Sequence, residues 1–258
     1  VQTCALPISQ AGDGRHVNSL AAQLLHHAQQ IVRSAERMQV EIGEFRKGVR
    51  GHVRVLANIS SINQFLPRDL SAFLAREPQI RVDLQERVSP LITEGVREGQ
   101  ADLGICLATV DLSELVVHRY AVDELAVVVH PAHPLARREA VSFEETLDHD
   151  FVALHPDSAT TRRLAGLAAT AGRTINHRMY VNTFEAAAHI VAENLAIGIL
   201  ARGAVESLRK SLGLQFVRLE DDWSRREIVL VHRESALMPA AAQALASHLR
   251  ARAGERPR

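Results

Sequence analysis

Serine residues at the ends of predicted strands could use their hydroxyls to bind a small anion. Residues 58–63 form a polar stretch after an apolar strand, and this loop contains Ser60 and Ser61. Ser89 and Pro90 hold the equivalent place after the next strand. The N–H groups of a helix that begins at such a loop attract carboxylates and other anions. The alternative is that these hydroxyls only cap the helices.

A second group of hydroxyl-bearing residues lies further along the chain. Ser158, Thr160 and Thr161 lie at the start of one predicted helix, and Asn182, Thr183 and Phe184 open another. These residues are candidates for the same kind of ligand contact. Two arginines follow Thr161, but an arginine pair on a helix is more often a solvated surface charge. We therefore leave both arginines outside the candidate site.

The cysteines and histidines do not predict a metal site or a cofactor. Cys4 and Cys106 belong to no CxxC or Cys/His spacing that would hold zinc. His130 and His133 flank a proline-containing turn without a third ligand, which favours a surface turn. Ile105 and Cys106 end a third strand and are expected to form an apolar wall, with Cys106 as a small buried hydrophobe.

Motifs for catalysis are not found in the sequence. It contains no GxSxG nucleophile elbow, HExxH helix, phosphate-binding loop or GxGxxG fingerprint. No nucleophile can be paired with a base from the sequence. We therefore predict that the protein is not an enzyme.

The elements that must position these residues alternate between strands and helices after Gly51. Strands are predicted at residues 53–57, 80–86, 101–107, 125–130, 151–154, 178–181, 196–200, 214–219 and 227–232. Helices are predicted at residues 65–76, 91–98, 161–171, 184–193, 204–211 and 237–251. This alternation predicts an α/β fold with a mostly parallel sheet.

Before Gly51, apolar residues recur at helical spacing from about residue 16 to residue 45. A helix of this length would extend about 45 Å, and glycines follow it. We expect such a helix to pair with a second copy of itself, giving a homodimer or a homotetramer. Residues 1–15 show no periodicity, and VQTCALPI resembles a translated sequencing adapter. We interpret them as an artefactual or disordered leader.

The composition bounds the possible partners. Lys plus Arg and Asp plus Glu number 30 each, so no excess positive charge favours nucleic acid binding by this chain itself. No apolar run approaches the roughly 20 residues of a membrane span, and the N-terminus lacks the pattern of a secretory signal. We expect a cytoplasmic protein without a membrane partner.

Four segments resemble, in order and spacing, the regulatory domain of LysR-type transcriptional regulators. They are FLPRDLSAFLAREPQIRVDLQE, LITEGVREGQADLGIC, YAVDELAVVVHPAHPLA and VAENLAIGILARGAV. The resemblance covers residues 16–252. It implies a fold like that of a type 2 periplasmic binding protein, with two αβ Rossmann-like subdomains joined by two crossover strands.

The resemblance also implies a division of the chain. It predicts a linker or dimerisation helix and hinge at residues 16–50, effector-binding subdomain I at residues 51–123 and 227–254, and subdomain II at residues 124–226. In the family, the loops that hold Ser60 and Ser89 contact the same ligand. The helix starts at residues 158–161 and 183–184 would then oppose them across the cleft.

The function implied is the sensing of a small-molecule effector, a carboxylate or another small anion. No segment predicts a recognition helix with basic neighbours, so we expect promoter DNA to be contacted by a winged helix-turn-helix domain that is missing from this sequence. Two alternatives stay open. A solute-binding protein of a transporter would have the same fold but no need of a long dimerising helix, and an enzyme would need a nucleophile and base.

Overall fold

The computed structural model describes residues 51–256, together with Leu24 and Ala28, which are helical. The remainder of the helix predicted over residues 16–45 lies outside the described residues. The interpretations of residues 1–15 and of the hinge before residue 51 also lie outside them. Within residues 51–256, no helix combines the length and the apolar character needed to span a lipid bilayer.

Ten strands and eight α-helices follow one another along the described residues. The strands are β1 (Gly51–Ala57), β2 (Ile80–Glu86), β3 (Leu103–Leu107), β4 (Val116–Val129), β5 (Ala140–Val141), β6 (Asp150–Leu154), β7 (Asn176–Val181), β8 (Gly198–Ala201), β9 (Gln215–Leu219) and β10 (Arg225–His232). The helices are α1 (Ile59–Gln64), α2 (Leu66–Arg76), α3 (Ser89–Arg97), α4 (Phe143–Thr146), α5 (Ala159–Thr170), α6 (Phe184–Ala192), α7 (Arg202–Ser211) and α8 (Ala240–Gly254).

The first lobe is a sheet in the order β2-β1-β3-β10-β4 with helices on both faces. β1 pairs in parallel with β2 and β3, because helices carry the chain back between these strands. Val55 and Ile105 pack in one core with α2 and α8, whereas Leu56 and Cys106 pack in another core with α3. Alternate side chains along each strand are therefore buried on opposite faces.

The second lobe is built on the second half of β4. Residues 125–129 of β4 pair antiparallel with β8 and β9, and β9 pairs in parallel with β5. β6 and β7 form a separate parallel pair, which a bridge between Phe151 and Ile197 places beside this sheet. The helices between these strands bury Leu164, Val191 and Val205 against them.

β4 and β10 connect the two lobes. β4 is one strand of 14 residues whose first half pairs antiparallel with β10 and whose second half belongs to the second lobe. The predicted arrangement of two αβ subdomains with two crossover strands is therefore present. The prediction of a mostly parallel sheet is wrong, because four of the eight described strand pairs are antiparallel: β3–β10, β4–β10, β4–β8 and β4–β9.

Two elements near the crossover strands differ from the sequence prediction. Residues 58–63, predicted as a polar loop, enter the short helix α1 directly after β1. The reason is that Asn58 caps this helix and turns the chain without an intervening loop. The first half of β4 was not predicted as a strand, because VVHRYAVDE mixes charged with apolar residues at the edge of the sheet.

Candidate functional site

A cavity of about 90 Å³ lies between the two lobes beside the crossover strands. Leu107, Leu125 and Phe184 are among its apolar lining residues. Its uncharged polar lining consists of Asn58, Ser60, Ser89, Ser158, Thr160, Thr161 and Asn182. Because these residues come from both lobes, a ligand in the cavity would contact both at once.

Four helices begin at this cavity, two from each lobe. α1 and α3 begin beside Ser60 and Ser89, and α5 and α6 begin beside Ser158 and Phe184. The N-terminus of a helix presents unpaired N–H groups and a partial positive charge. The backbone therefore gives the cavity a positive potential from both sides.

The start of α1 is fixed by Asn58 and not by a serine. Asn58 Oδ1 accepts hydrogen bonds from the backbone N–H and from the hydroxyl of Ser61, both at 2.8 Å. Ser61 is fully buried and does not line the cavity. Ser60 lines it, and its Oγ accepts a hydrogen bond from Arg226 at 3.3 Å. Of the two predicted serines, Ser60 is the one at the cleft.

Ser89 lines the cavity at the start of α3 and is almost fully buried. Its Oγ accepts a hydrogen bond from the backbone N–H of Leu107 at 3.3 Å. This bond ties the beginning of α3 to the end of β3. Pro90, the other residue predicted here, does not line the cavity and lines a separate groove with Thr93.

β3 contributes Leu107 to the cavity in place of the predicted Ile105 and Cys106. Both predicted residues are fully buried in the first lobe. Ile105 lies in one core and Cys106 in the other, because successive side chains on a strand point to opposite faces. Burial raises the pKa of the Cys106 thiol to about 12, against a smaller opposing effect of Arg97. Cys106 is therefore a small apolar core residue.

The three hydroxyls predicted at the start of α5 all line the cavity. Ser158 caps the helix, since its Oγ accepts the N–H of Thr161 at 3.0 Å and donates to Thr161 Oγ1 at 2.8 Å. The Thr161 hydroxyl in turn donates to the carbonyl of Leu154 at 3.0 Å. Thr160 Oγ1 accepts a hydrogen bond from Arg226 Nη1 at 2.5 Å.

At the start of α6, the two predicted residues have different positions. Thr183 caps the helix by accepting the N–H of Ala186 at 3.1 Å, is exposed, and does not line the cavity. Phe184 is buried and forms part of the apolar wall. Asn182, which precedes them at the same predicted helix start, also lines the cavity.

Arg226 lines the cavity and was not predicted from the sequence. It stands on β10 directly opposite Asp123 on β4, and its Nη2 forms a buried ion pair with the Asp123 carboxylate. Gln64 donates to the other oxygen of Asp123 at 3.1 Å. The Nε of Arg226 is buried without a hydrogen-bond partner, and an unsatisfied buried donor costs about 1–3 kcal/mol.

Titratable side chains lie around the cavity. Partial burial raises the pKa of Glu86, and the charge of His155 in the other lobe partly opposes this effect. Burial lowers the pKa of His177. The basic side chain of Arg87 is also part of the lining.

The hydrogen bonds of the cavity suit binding more than catalysis. The hydroxyls that line it bond to backbone groups, to each other or to the guanidinium of Arg226. None of these bonds joins a hydroxyl to a histidine or carboxylate that could activate it as a nucleophile. The arrangement can hold an anion through helix N-termini and hydroxyl donors.

Comparisons with known proteins identify the family. The model of the LysR substrate binding domain matches residues 46–254. A relative, the RuBisCO operon transcriptional regulator of Allochromatium vinosum, is 28% identical over 223 residues, which are 85% of this chain and 72% of the relative.

Solved structures show the same fold at low sequence identity. The regulatory domain of Synechocystis CcmR in complex with 2-PG has a TM-score of 0.73 at 19% identity, covering 81% of this chain and 100% of that chain. The effector binding domain of QuiR in complex with shikimate has a TM-score of 0.69 at 17% identity, covering 80% of this chain and 98% of that chain. The predicted effector-binding fold is confirmed. Since the family model covers most of its length, the chain belongs to the LysR family of transcriptional regulators and contains the substrate-binding domain of that family.

Proposed function

We propose that this domain senses a small anionic metabolite in the cleft and transmits a change in lobe position to the rest of a LysR-type regulator. The observation that carries the proposal is the convergence of four helix N-termini, two from each lobe, on one cavity lined by hydroxyls. A ligand held by both lobes stabilises one lobe angle over the others.

Six of the predicted residues are proposed as effector contacts: Ser60, Ser89, Ser158, Thr160, Thr161 and Phe184. A hydroxyl that accepts from a helix or a guanidinium can still donate its own proton to a ligand. The structures of related fold support an acidic ligand, since the CcmR domain holds 2-PG and the QuiR domain holds shikimate. We propose that the other five predicted residues support the site without touching the effector.

The size of the cavity bears on how the effector binds. Its volume of about 90 Å³ is smaller than the engineered cavity of about 150 Å³ that holds benzene. The cavity is partly open and shares Leu107, Leu125 and Arg226 with an adjoining cavity of about 270 Å³. A larger effector would extend into this adjoining space, and its contacts with both lobes would couple its binding to the angle between them.

The test is thermal denaturation of the full chain against small carboxylic acids and phosphorylated acids. A ligand that binds only the folded state raises the melting temperature, and at 100 times its Kd it stabilises by about 2.7 kcal/mol. Ser89→Ala should reduce the shift, because the serine donor is lost while the buried space is nearly unchanged.

The matched control is Ser247→Ala, an exposed serine on α8 outside the cavity. It should leave the ligand-induced shift unchanged. No shift with any acid, or an equal loss in both variants, would contradict the proposed function.

For the whole regulator, we propose that a winged helix-turn-helix domain contacts promoter DNA and that residues 16–50 pair subunits into a dimer or tetramer. A cytoplasmic location and the absence of an enzymatic step follow from this role. A transporter's solute-binding protein would share the fold. The family model and the relative from Allochromatium vinosum favour the regulator.

A further inference from the structure

We propose that Arg226 is the residue through which this cleft recognises charge, and that it links the two lobes until the acid group of an effector takes over its hydrogen bonds. The inference rests on the proposed function of the cleft and adds which residue recognises the charge of the effector.

The position of Arg226 places one guanidinium between the lobes. Its Nη2 donates to Ser60 at the start of α1 in the first lobe, and its Nη1 donates to Thr160 at the start of α5 in the second lobe. Arg226 itself lies on a crossover strand, opposite Asp123 on the other crossover strand. One side chain thus joins both lobes and both connecting strands.

The hydrogen bonding of this guanidinium is incomplete in the structure. Arg226 is 7% exposed, yet its Nε has no hydrogen-bond partner. Within residues 51–256, Asp123 is the one carboxylate that pairs with its charge, and its other acceptors are the neutral hydroxyls of Ser60 and Thr160. A carboxylate or phosphate is a stronger acceptor for a guanidinium than a hydroxyl is, because both groups are then charged.

The consequence is a competition for the same donors. An anion that enters the cavity, which Arg226, Ser60 and Thr160 all line, would replace the two hydroxyls as the partner of the guanidinium. The link between Arg226 and the second lobe would then pass through the ligand. Asp123 keeps the buried arginine charge compensated when no ligand is bound.

The first experiment measures the distance between the lobes without ligand. Spin labels at Arg81→Cys on β2 and Lys210→Cys on α7 report on the two lobes, since both positions are exposed. Cys4→Ser removes one native thiol, and Cys106 is too buried to be labelled. Thr160→Val keeps the side-chain shape and the Arg226–Asp123 pair but removes the hydroxyl that receives Nη1.

We expect Thr160→Val to lengthen or broaden the distance distribution. The matched control is Thr170→Val at the other end of α5, whose hydroxyl bonds only to its own helix at Gly166. The control should keep the original distribution. An unchanged distribution in Thr160→Val would overturn the link between the lobes.

The second experiment measures anion affinity through Trp223, the one tryptophan of the sequence. Trp223 lines an adjoining cavity that also contains Arg226, so its emission should respond to a change there. Titration with acetate, sulfate and inorganic phosphate at constant ionic strength gives the affinities. Loss of a charge-assisted bond in Arg226→Gln should weaken them about 10- to 100-fold.

Arg218→Gln is the control, because Arg218 is an exposed arginine on β9 that does not line the cavity. It should not change the affinities. Equal affinities in wild type and Arg226→Gln, or no response of wild type to any of these anions, would overturn charge recognition by Arg226. Circular dichroism first establishes that Arg226→Gln folds. If it does not, the double variant Asp123→Leu with Arg226→Met removes the pair without leaving a buried charge.

The two proposals fail in different ways. A melting screen that finds no effector would overturn the proposed function and leave the distance result for Thr160→Val standing. An effector that binds wild type and Arg226→Gln equally well would overturn the role of Arg226 alone.

Discussion

The Cys106 thiol lies in the apolar core between β3 and α3, and its burial predicts how stability changes at high pH. Its pKa rises from an ordinary value near 9 to about 12 in the folded protein. Between these values the unfolded chain has lost a proton that the folded chain retains. The free energy of unfolding should therefore fall by up to about 1.4 kcal/mol per pH unit as pH rises.

Below about pH 9 both states hold the proton, so Cys106 gives no pH dependence there. Urea denaturation at several alkaline pH values measures the slope. Cys106→Ala should be less stable than wild type near neutral pH but lose stability less steeply at high pH. Equal slopes of the free energy of unfolding against pH in wild type and Cys106→Ala would show that this thiol does not cause the pH dependence.

For single residues, side-chain type and position in the sequence predicted some of the residues that line the cavity. Ser60, Ser89 and Ser158 lie at the cavity because they open helices at the ends of strands. Thr183 also carries a hydroxyl at the same kind of position, yet this hydroxyl caps α6 away from the cavity. Which hydroxyl reaches the ligand depends on the exact helix start, which hydrophobic periodicity does not determine.

The position of Arg226 in the site could be predicted only from the register between β4 and β10. An arginine next to the apolar run EIVLVH and an aspartate inside YAVDELAVVV were visible in the sequence. Their pairing depends on β4 and β10 aligning so that Arg226 stands opposite Asp123. A shift of one residue would turn either side chain to the other face.

At the scale of elements, the packing of α3 against the first sheet depends on Gly104 in β3. A Cβ at this position would lie 2.7 Å from Cγ2 of Ile92 and 2.7 Å from Cγ2 of Val231. Gly104→Ala must push these buried side chains apart, so we expect a loss of about 1–3 kcal/mol in the free energy of unfolding.

Gly166 in α5 provides the matched control. Apart from its chain neighbours and its own helix backbone, no atom of the described residues lies within 4 Å of a Cβ built there, so Gly166→Ala should stabilise the protein by up to about 1 kcal/mol through higher helix propensity. Urea denaturation of both variants measures the difference. Equal effects of the two substitutions would mean that the core between α3 and the sheet relaxes without cost.

Periodicity predicted the strongly apolar or amphipathic elements well. β2 was predicted at residues 80–86, the bounds that the structure has. The short helix α1 and the first half of β4 were not predicted, because α1 has too few residues for a helical period and β4 alternates weakly at the sheet edge. Capping by Asn58 determines the start of α1, whereas pairing with β10 determines the first half of β4.

At the scale of the whole molecule, partial burial of histidines predicts the response to acid. Burial lowers the pKa of His118, His133 and His177, with smaller effects of nearby charges on the first two. Below about pH 6.5, the unfolded chain therefore binds more protons than the folded chain. The free energy of unfolding should fall as pH falls through this range.

Denaturation in urea at neutral and mildly acidic pH measures this dependence. His118→Gln should reduce it, because burial, and to a smaller extent the nearby Arg250 and His232, disfavour the protonated form of His118 in the folded protein. A stability that stays constant or rises on mild acidification would contradict the prediction.

The position of β10 also determines the order in which the lobes can be completed during synthesis. The second lobe is one continuous stretch of chain, inserted between strands β4 and β10 of the first lobe. As the chain leaves the ribosome, the second lobe can therefore fold while the first still lacks the strand between β3 and β4. Until β10 emerges, the nascent first lobe has unpaired strand edges that a chaperone would need to shield.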